Sequence, residues 1–176
     1  MGKKKILFVS QEISPFLPKS EVATIARRLP QGIQEAGKEI RVFTPRFGSI
    51  NERRHQLHEV IRLSGMNLVI DDNDHPLIIK VASISAARMQ VYFIDNDEFF
   101  KRKNNVTQED GSDYPDNDER SMFFCRGVLE TVKKLGWKPQ YDLAGLVKEM
   151  VAADLDIFKK EKLLHESGFK IKNQFE

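Results

Sequence analysis

The strongest constraint on the fold is a strand, a helix and a second strand that follow one another near the amino terminus. Residues 5–10 form a short continuous apolar run, as is typical of strands buried in parallel sheets. A helix-length segment, residues 21–36, ends at Gly37, and residues 40–43 form a second apolar run. The apolar residues of the helical segment repeat with the helical period: Val22, Ile25, Ala26, Leu29 and Ile33. The pattern predicts one buried helix face and a right-handed β-α-β unit, the building block of α/β proteins.

The middle of the chain carries short apolar runs that predict hairpins inserted into this frame. The runs span residues 57–63, 67–70, 77–81 and 89–94. The acidic stretch 71–74 indicates a solvated hairpin turn, since it lacks the glycine and distal glutamate of a calcium loop. We predict that residues 91–94 return to the main sheet and that the polar residues 101–115 form a mobile surface loop.

Two further helices are predicted at residues 116–135 and 142–162. Asp116, with Glu119 three positions later, has the pattern of an N-cap with a capping box, and Gly136 ends the helix. We expect this helix to be deeply packed and Cys125, on its apolar face, to be a buried thiol. Together the elements predict an α/β fold: a Rossmann-like three-layer domain with a parallel sheet, inserted β-hairpins and a C-terminal helix.

Charge and composition narrow the function classes. The chain of 176 residues has 28 Lys and Arg against 26 Asp and Glu, so nothing calls for nucleic acid or an anionic membrane as a partner. No apolar run approaches the roughly 20 residues that span a bilayer. A single cysteine excludes an internal disulfide framework. We therefore expect a cytoplasmic protein.

Compact catalytic motifs are missing from the sequence. It has no phosphate-binding loop of the Walker type, no dinucleotide fingerprint, no HExxH zinc motif and no GxSxG nucleophile elbow. His55 and His58 are three residues apart, but the local pattern is strand-like and no third metal ligand is nearby. We therefore predict no catalytic residue, no metal and no cofactor within this chain.

Several segments carry a family resemblance in the same order and spacing over residues 1–139. They are residues 5–10 with Glu12, 41–50, 91–96, 114–120, and 135–139. Together they resemble the opening of bacterial glycogen synthases and plant starch synthases. The resemblance implies transfer of glucose from ADP-glucose to an α-1,4-glucan, by two Rossmann-like domains with the active site in the cleft between them. ADP-glucose and an α-glucan are accordingly the expected partners.

The chain departs from this family at its first loop. The family reads K-T-G-G-L there, whereas residues 18–22 read Pro-Lys-Ser-Glu-Val. Ser20 and Glu21 add a side chain and a negative charge where glycine amides would approach a diphosphate. Lys19 is displaced by one position from the family's lysine. The family's H-x-H-D-W motif and second domain are also missing, so we expect an incomplete active site and no transfer by the chain alone.

Five residues remain as candidate substrate contacts, and each has a structural alternative. They are Lys19, Ser20, Asp116, Asn117 and Arg120, which we expect near the mouth of the sheet. Asp116 could equally be only a helix cap, and Arg120 only its ion partner. The alternative function is a non-catalytic glucan- or protein-binding module.

The carboxyl-terminal segment resembles a different family. The carboxyl terminus of GDP-mannose 4,6-dehydratases is similar to residues 135–139 followed by residues 146–147, 149–151, 154–155, 159–160, 163–164 and 168–169. We therefore predict a division into residues 1–139 and a helical tail, 140–176, with a junction near 135–139. The simpler alternative is an ordinary amphipathic helix. If the tail replaces a strand-helix unit, the sheet keeps a bare edge, and we expect self-association through it.

Overall fold

The computed structural model describes residues 5–139 and 142–168, which form two compact units that meet in sequence at Trp137 and Lys138. The first unit contains, in chain order, β1 Lys5–Val9, α1 Glu21–Glu35, β2 Glu39–Pro45, α2 Glu52–His55, β3 His58–Glu59, β4 Met66–Ile70, β5 Asn73–Ile84, β6 Met89–Asp95, α3 Asp97–Phe100 and α4 Asn117–Lys134. The second unit contains α5 Leu143–Glu166.

The main sheet is mixed, with the order β1-β2-β6-β5-β3. β1, β2 and β6 are parallel, which confirms the predicted β-α-β unit and the return of residues 91–94 to the sheet. β5 pairs antiparallel with both of its neighbours, β6 and β3, and β4 pairs antiparallel with the first half of β5. The sheet is not parallel throughout, because β5 reaches β6 through a short turn rather than through a crossover helix.

Helices and loops cover both faces of the sheet, which gives the predicted three layers. Phe93 and Ile94 are neighbours on β6 and therefore point to opposite faces. The ring of Phe16, in the loop before α1, lies 4.9 Å from that of Phe93. On the other face α4 lies so close that a Cβ added at Gly127 would be 2.9 Å from Ile94 Cγ2. The core between these layers is aliphatic and aromatic.

The hairpin between β4 and β5 turns through two residues in the left-handed region. Asp71 and Asp72 have φ values of 47° and 61°, as a type I′ turn requires. The predicted hairpin turn is confirmed. The predicted strand over residues 57–63 is wrong beyond His58–Glu59, because the chain turns at Val60 and buries Leu63.

Apolar side chains around β1 are more exposed than the sequence pattern predicts. α1 turns its small residues Ala23 and Ala26 toward the sheet, while half of each of three larger side chains is exposed: Val22, Ile25 and Leu29. Cys125 on α4 is also exposed, so the prediction of a packed thiol is wrong. The 3.6-residue period identifies an apolar stripe, but only a further layer of structure could bury it, and the described part of the chain supplies none there.

The single tryptophan, Trp137, is buried at the end of the first unit. The ammonium of Lys5 and the guanidinium of Arg41 lie 5.6 and 5.7 Å from its ring centroid. Both cations belong to the β1 side of the sheet, so the ring fixes the chain that leaves α4 against that side.

The second unit consists of the long helix α5. Asp142 caps it by accepting a hydrogen bond from the Gly145 amide at 2.7 Å, and the helix is about 36 Å long at 1.5 Å per residue. The predicted helix is confirmed and extends to Glu166. Its apolar side chains are exposed, among them Leu146, Val147, Met150, Val151, Leu155 and Phe158. Within the described residues, no helix combines the length and hydropathy required to cross a bilayer.

Candidate ligand-binding site

Two neighbouring cavities open where β1 and β2 end. Ligands of α/β proteins bind at the carboxyl ends of parallel strands, because the connecting loops converge there. The first cavity has a volume of about 550 Å³ and is lined by Val9, Ser10, Gln11, Pro45, Phe47, Phe100, Val106, Asn117, Arg120, Ser121, Phe124 and Cys125. The second, of about 470 Å³, shares Gln11, Phe47 and Val106 with it. We call the two together the carboxyl-edge groove.

Asn117 and Arg120, two of the residues predicted from sequence, line this groove. Arg120 is buried, and its Nε donates to the Phe99 carbonyl at 2.8 Å. Its other nitrogens donate to Asn117 Oδ1 and to the Asn105 carbonyl. Burial lowers the pKa of this guanidinium, and the positive charge of Arg102 lowers it further. All three oxygen partners are neutral, so Arg120 contributes positive charge to the wall of the groove.

Asp116 is held behind this wall by a different arginine. Both guanidinium Nη atoms of Arg102 donate to its carboxylate, one of them at 2.7 Å. The hydrogen bonds from Arg102 hold the pKa of Asp116 below its ordinary value. Asp116 occupies the N-cap position of α4, but its side chain makes no capping hydrogen bond. The predicted capping box is wrong, and the alternative role of Arg120 as the ion partner of Asp116 is not supported, because Arg102 forms that ion pair.

The same ion pair fixes the loop after α3. Gly48 donates its amide to the Phe100 carbonyl at 2.7 Å and lies against the backbone of Arg102. The Tyr114 ring contacts two cations, with its centroid 4.6 Å from the Arg102 guanidinium and 5.0 Å from that of Arg120. Residues 101–115 were predicted to be a mobile surface loop, but these contacts hold the part that forms one side of the groove.

Lys19 and Ser20, the other predicted contacts, lie at the amino end of α1. Lys19 is exposed and lines neither cavity of the groove. Ser20 caps α1, since its Oγ accepts a hydrogen bond from the Ala23 amide at 2.9 Å. The same hydroxyl donates to the carboxylate of Glu12, which lines the second cavity. A negative charge therefore already lies beside the positive end of α1.

An ion cluster at the ends of β2 and β6 was missed by sequence reasoning. Arg46, which follows β2, donates its Nε to Asp95 at the end of β6 at 2.8 Å. The Lys80 ammonium lies 2.8 Å from both Asp95 Oδ2 and Glu52 Oε1. Burial opposes the charge on Lys80, but hydrogen bonds to Asp95 and Glu52 outweigh it and raise its pKa. A signal was present in the sequence, since Arg46 and Asp95 are charged residues close to the ends of two predicted apolar strands.

The two histidines do not form a metal site. His55 ends α2 and packs edge-on against Phe16, with the ring centroids 5.0 Å apart, while His58 lies on β3. Among the residues that the structure describes, no three His, Cys, Asp or Glu side chains are grouped to hold a metal ion.

A further depression of about 590 Å³ lies at the opposite, amino-terminal edge of the sheet, and none of the predicted contacts lines it.

Comparisons with known proteins identify a matching family, similar sequences and a similar fold. The family model for the starch synthase catalytic domain matches residues 5–143. Glycogen synthase from Chlorobium limicola is 40% identical over 136 residues, which are 77% of this chain and 28% of that protein. The glycogen synthase of Chlorobaculum tepidum is 36% identical over 169 residues, 91% of this chain and 35% of its own length. The chain thus spans about a third of the length of these relatives.

A solved structure has a similar fold. The catalytic domain of Starch Synthase IV from Arabidopsis thaliana, bound to ADP and acarbose, superposes with a TM-score of 0.63 at 18% identity. The superposition covers 79% of this chain and 27% of that one. It supports the α/β architecture of the first unit.

Proposed function

Because the chain belongs to the starch synthase catalytic domain family, we propose that it forms one part of a glucosyltransferase that acts on ADP-glucose and an α-1,4-glucan. In this proposal the chain supplies one wall of the substrate site and transfers no glucose by itself. Transfer requires donor and acceptor to be enclosed and oriented together, and the proposed wall reaches them from one side only. The observation that carries the proposal is the family match over the residues that build the carboxyl-edge groove.

The lining of the groove suits a glucan. A sugar ring presents apolar faces and a rim of hydroxyl groups, so its site combines aromatic side chains with hydrogen-bonding groups. The first cavity offers the aromatic rings Phe47, Phe100 and Phe124 beside polar Ser10 and Gln11. The second cavity continues from it through shared residues, which gives room for more than one sugar unit. Asn117 and Arg120 are the proposed hydrogen-bonding contacts at the inner wall.

The amino end of α1 favours sugar over nucleotide. Glu12 accepts the Ser20 hydroxyl there, and its carboxylate repels a diphosphate that approaches the helix amides. This observation supports the second candidate function, a non-catalytic module that binds glucan without nucleotide. Lys19 is exposed nearby and remains the proposed counter-charge if a nucleotide does bind.

Isothermal titration calorimetry with maltoheptaose and with ADP tests the site. We expect maltoheptaose to bind and the Val106→Trp substitution to weaken it at least about tenfold, because the indole fills the junction of the two cavities. Val69→Trp is the matched control, since Val69 is an exposed valine on β4 outside the groove. Equal affinities for wild type and the Val106→Trp variant would contradict the proposed site.

A second substitution tests whether the Glu12 carboxylate weakens nucleotide binding. Glu12→Gln removes the charge beside α1 and should strengthen ADP binding about two- to fivefold, the range expected for one charge at a helix terminus. ADP binding that exceeds maltoheptaose binding in the wild type would exclude the module. Elongation of a glucan primer from ADP-glucose by the purified chain would overturn the proposal that the chain is inactive alone.

Three finer expectations from the sequence remain proposals. We place the chain in the cytoplasm, where an exposed single thiol such as Cys125 stays reduced. We retain self-association as a property of the chain. The resemblance of residues 140–176 to the dehydratase terminus stays a hypothesis. The match to the Chlorobaculum tepidum protein competes with it, because a match that covers 91% of this chain must extend past residue 139.

A further inference from the structure

The depression at the amino-terminal edge of the sheet has the size of a small-molecule site. Its volume of about 590 Å³ falls within the range of ligand pockets. It lies where β2 and β6 begin and β5 ends. β2 pairs with β1 and β6, and β6 pairs with β2 and β5, so these two strands are interior strands of the sheet. We call this cavity the amino-edge depression.

A row of polar side chains crosses three strands at the floor of the depression. Gln90 of β6 is paired with Ser83 of β5. Arg41 of β2 lies level with Gln90, since the residues that directly follow the two are paired. Residues in register on neighbouring strands project from the same face of a sheet. The row therefore offers a guanidinium, an amide and a hydroxyl to one cavity.

Two further cations lie at the rim, one on each of two neighbouring turns. Lys38 lies in the turn between α1 and β2, and Arg88 directly precedes β6. The two turns are held together, because Gln34 Nε2 donates to the Arg88 carbonyl at 2.8 Å. Both cations are exposed, and within the described ranges 5–139 and 142–168 neither forms an ion pair.

The charge balance of the depression favours an anion. Three cations line it against one carboxylate, that of Glu39, which lies 3.0 Å from an Arg41 Nη atom. This contact leaves Arg41 Nε without a hydrogen-bond partner, the one such buried side-chain nitrogen or oxygen among the described residues. An unpaired buried donor costs free energy, so an anion oxygen that draws this guanidinium outward recovers part of that cost.

The carboxyl end of α1 also borders the depression, and helix carboxyl ends repel anions. Three of its last carbonyls already accept hydrogen bonds, since the amides of residues 36–38 donate to Gly32, Gln34 and Ile33. Glu35 lines an adjoining smaller cavity, and its carboxylate accepts a hydrogen bond from Gln31. The three lining cations therefore decide the sign of the charge.

We propose that the amino-edge depression binds a small phosphate ester whose remainder carries hydroxyl groups. Lys38 and Arg88 contact the phosphate at the rim and Arg41 contacts it from the floor, because ammonium and guanidinium groups form strong hydrogen bonds to phosphate oxygens. Gln90 and Ser83 provide hydrogen bonds to the hydroxyl groups. The carboxyl-edge groove lies at the other end of the strands, so ligands of the two sites do not compete.

Isothermal titration calorimetry of the full chain with ribose 5-phosphate and with inorganic phosphate tests the site. Ionic strength is held constant, because salt screens exposed charges. We expect ribose 5-phosphate to bind with a Kd on the order of 1 mM, and inorganic phosphate to bind at least about threefold more weakly because it lacks the hydroxyl contacts. Equal affinities would refute a site for an ester. Absence of heat, with no broadening of the ligand signal in phosphorus NMR, would overturn the proposal altogether.

The two rim cations allow a matched comparison of variants. Lys38→Gln and Arg88→Gln should each weaken ribose 5-phosphate binding about two- to fivefold, the effect of one exposed charge pair, and the double variant about four- to twenty-fivefold. Arg28→Gln is the matched control, since it removes an exposed cation of α1 outside the depression and should leave the affinity unchanged. A control that weakens binding as much as the rim variants would show a general attraction by charge and refute the site.

Glu12→Gln separates this site from the amino end of α1. Glu12 lines the carboxyl-edge groove, so its substitution should leave ribose 5-phosphate binding unchanged. Binding that Glu12→Gln strengthens and the double rim variant leaves intact would place the phosphate at the amino end of α1 and refute the proposal.

Discussion

Gly48 is the position at which a single added methyl group should do most damage. A Cβ there would lie 2.8 Å from the Arg102 backbone nitrogen and closer still to its carbonyl oxygen, nearer than real Cβ atoms come. Both obstacles are backbone atoms, so neither can rotate away. Relief requires the Gly48 amide to move off the Phe100 carbonyl that accepts its 2.7 Å hydrogen bond.

The expected cost of Gly48→Ala lies at the top of the range for overpacking, about 3 kcal/mol. For a chain of this size that lowers Tm by roughly 6–12 °C. Differential scanning calorimetry measures the shift. Because the displaced loop carries Val106, maltoheptaose affinity should fall as well.

Alanine substitutions at two other glycines provide controls, because we expect them to change the stability of the fold in a different direction or by a different amount. Gly32 in α1 has no atom within 4 Å of an added Cβ, so Gly32→Ala should stabilise by about 0.5–1 kcal/mol through helix propensity. At Gly127 the added Cβ meets the ends of the Ile94 and Leu77 side chains at 2.9 and 3.1 Å, and the helix gain partly offsets that strain. The order of stability should be Gly32→Ala, wild type, Gly127→Ala, Gly48→Ala. A Gly48→Ala variant as stable as wild type would refute the steric argument.

Three further perturbations follow from the ion pairs and the exposed thiol. Asp116 has a lowered pKa when folded, so its pair with Arg102 contributes full stability above about pH 4 and loses it as the pH falls through the folded pKa. Urea titrations should show the deficit of Asp116→Asn at pH 7 shrink progressively as the pH is lowered below about 4. Asp95→Asn leaves Arg46 without its buried counter-charge and should cost about 3 kcal/mol in the same titrations, whereas a loss under 1 kcal/mol would contradict the cluster. Cys125 should react with a thiol reagent in the native chain at nearly the rate seen in urea, and strong protection would show it covered.

Periodicity in the sequence predicted the elements well where local chemistry decides them. The boundaries of α1 and α4 follow from apolar spacing and terminal glycines, and the hairpin turn follows from consecutive aspartates that tolerate positive φ. The strand predicted over residues 57–63 was too long, because an apolar run in the sequence does not reveal where the chain turns back. The burial of side chains was predicted less well than the elements themselves. An apolar helix stripe such as that of Ile25 is buried only where another element packs against it, and local sequence does not show whether one does.

Only part of the candidate site could be predicted. Asn117 and Arg120 were found because they belong to a motif at a helix start, and they do line the groove. The partner of Asp116 was not found, since Arg102 lies fourteen residues away across a stretch without periodicity. Glu12 became significant only when folding brought its carboxylate to Ser20.

The environment of Trp137 gives the molecule a built-in optical reporter. It is the chain's single tryptophan, and its ring lies close to the cations of Lys5 and Arg41 and is shielded from water. Its emission therefore follows the loosening of the first unit alone, while circular dichroism at 222 nm also registers α5. Comparing the two signals during denaturation separates the melting of the sheet from that of the long helix without any attached dye.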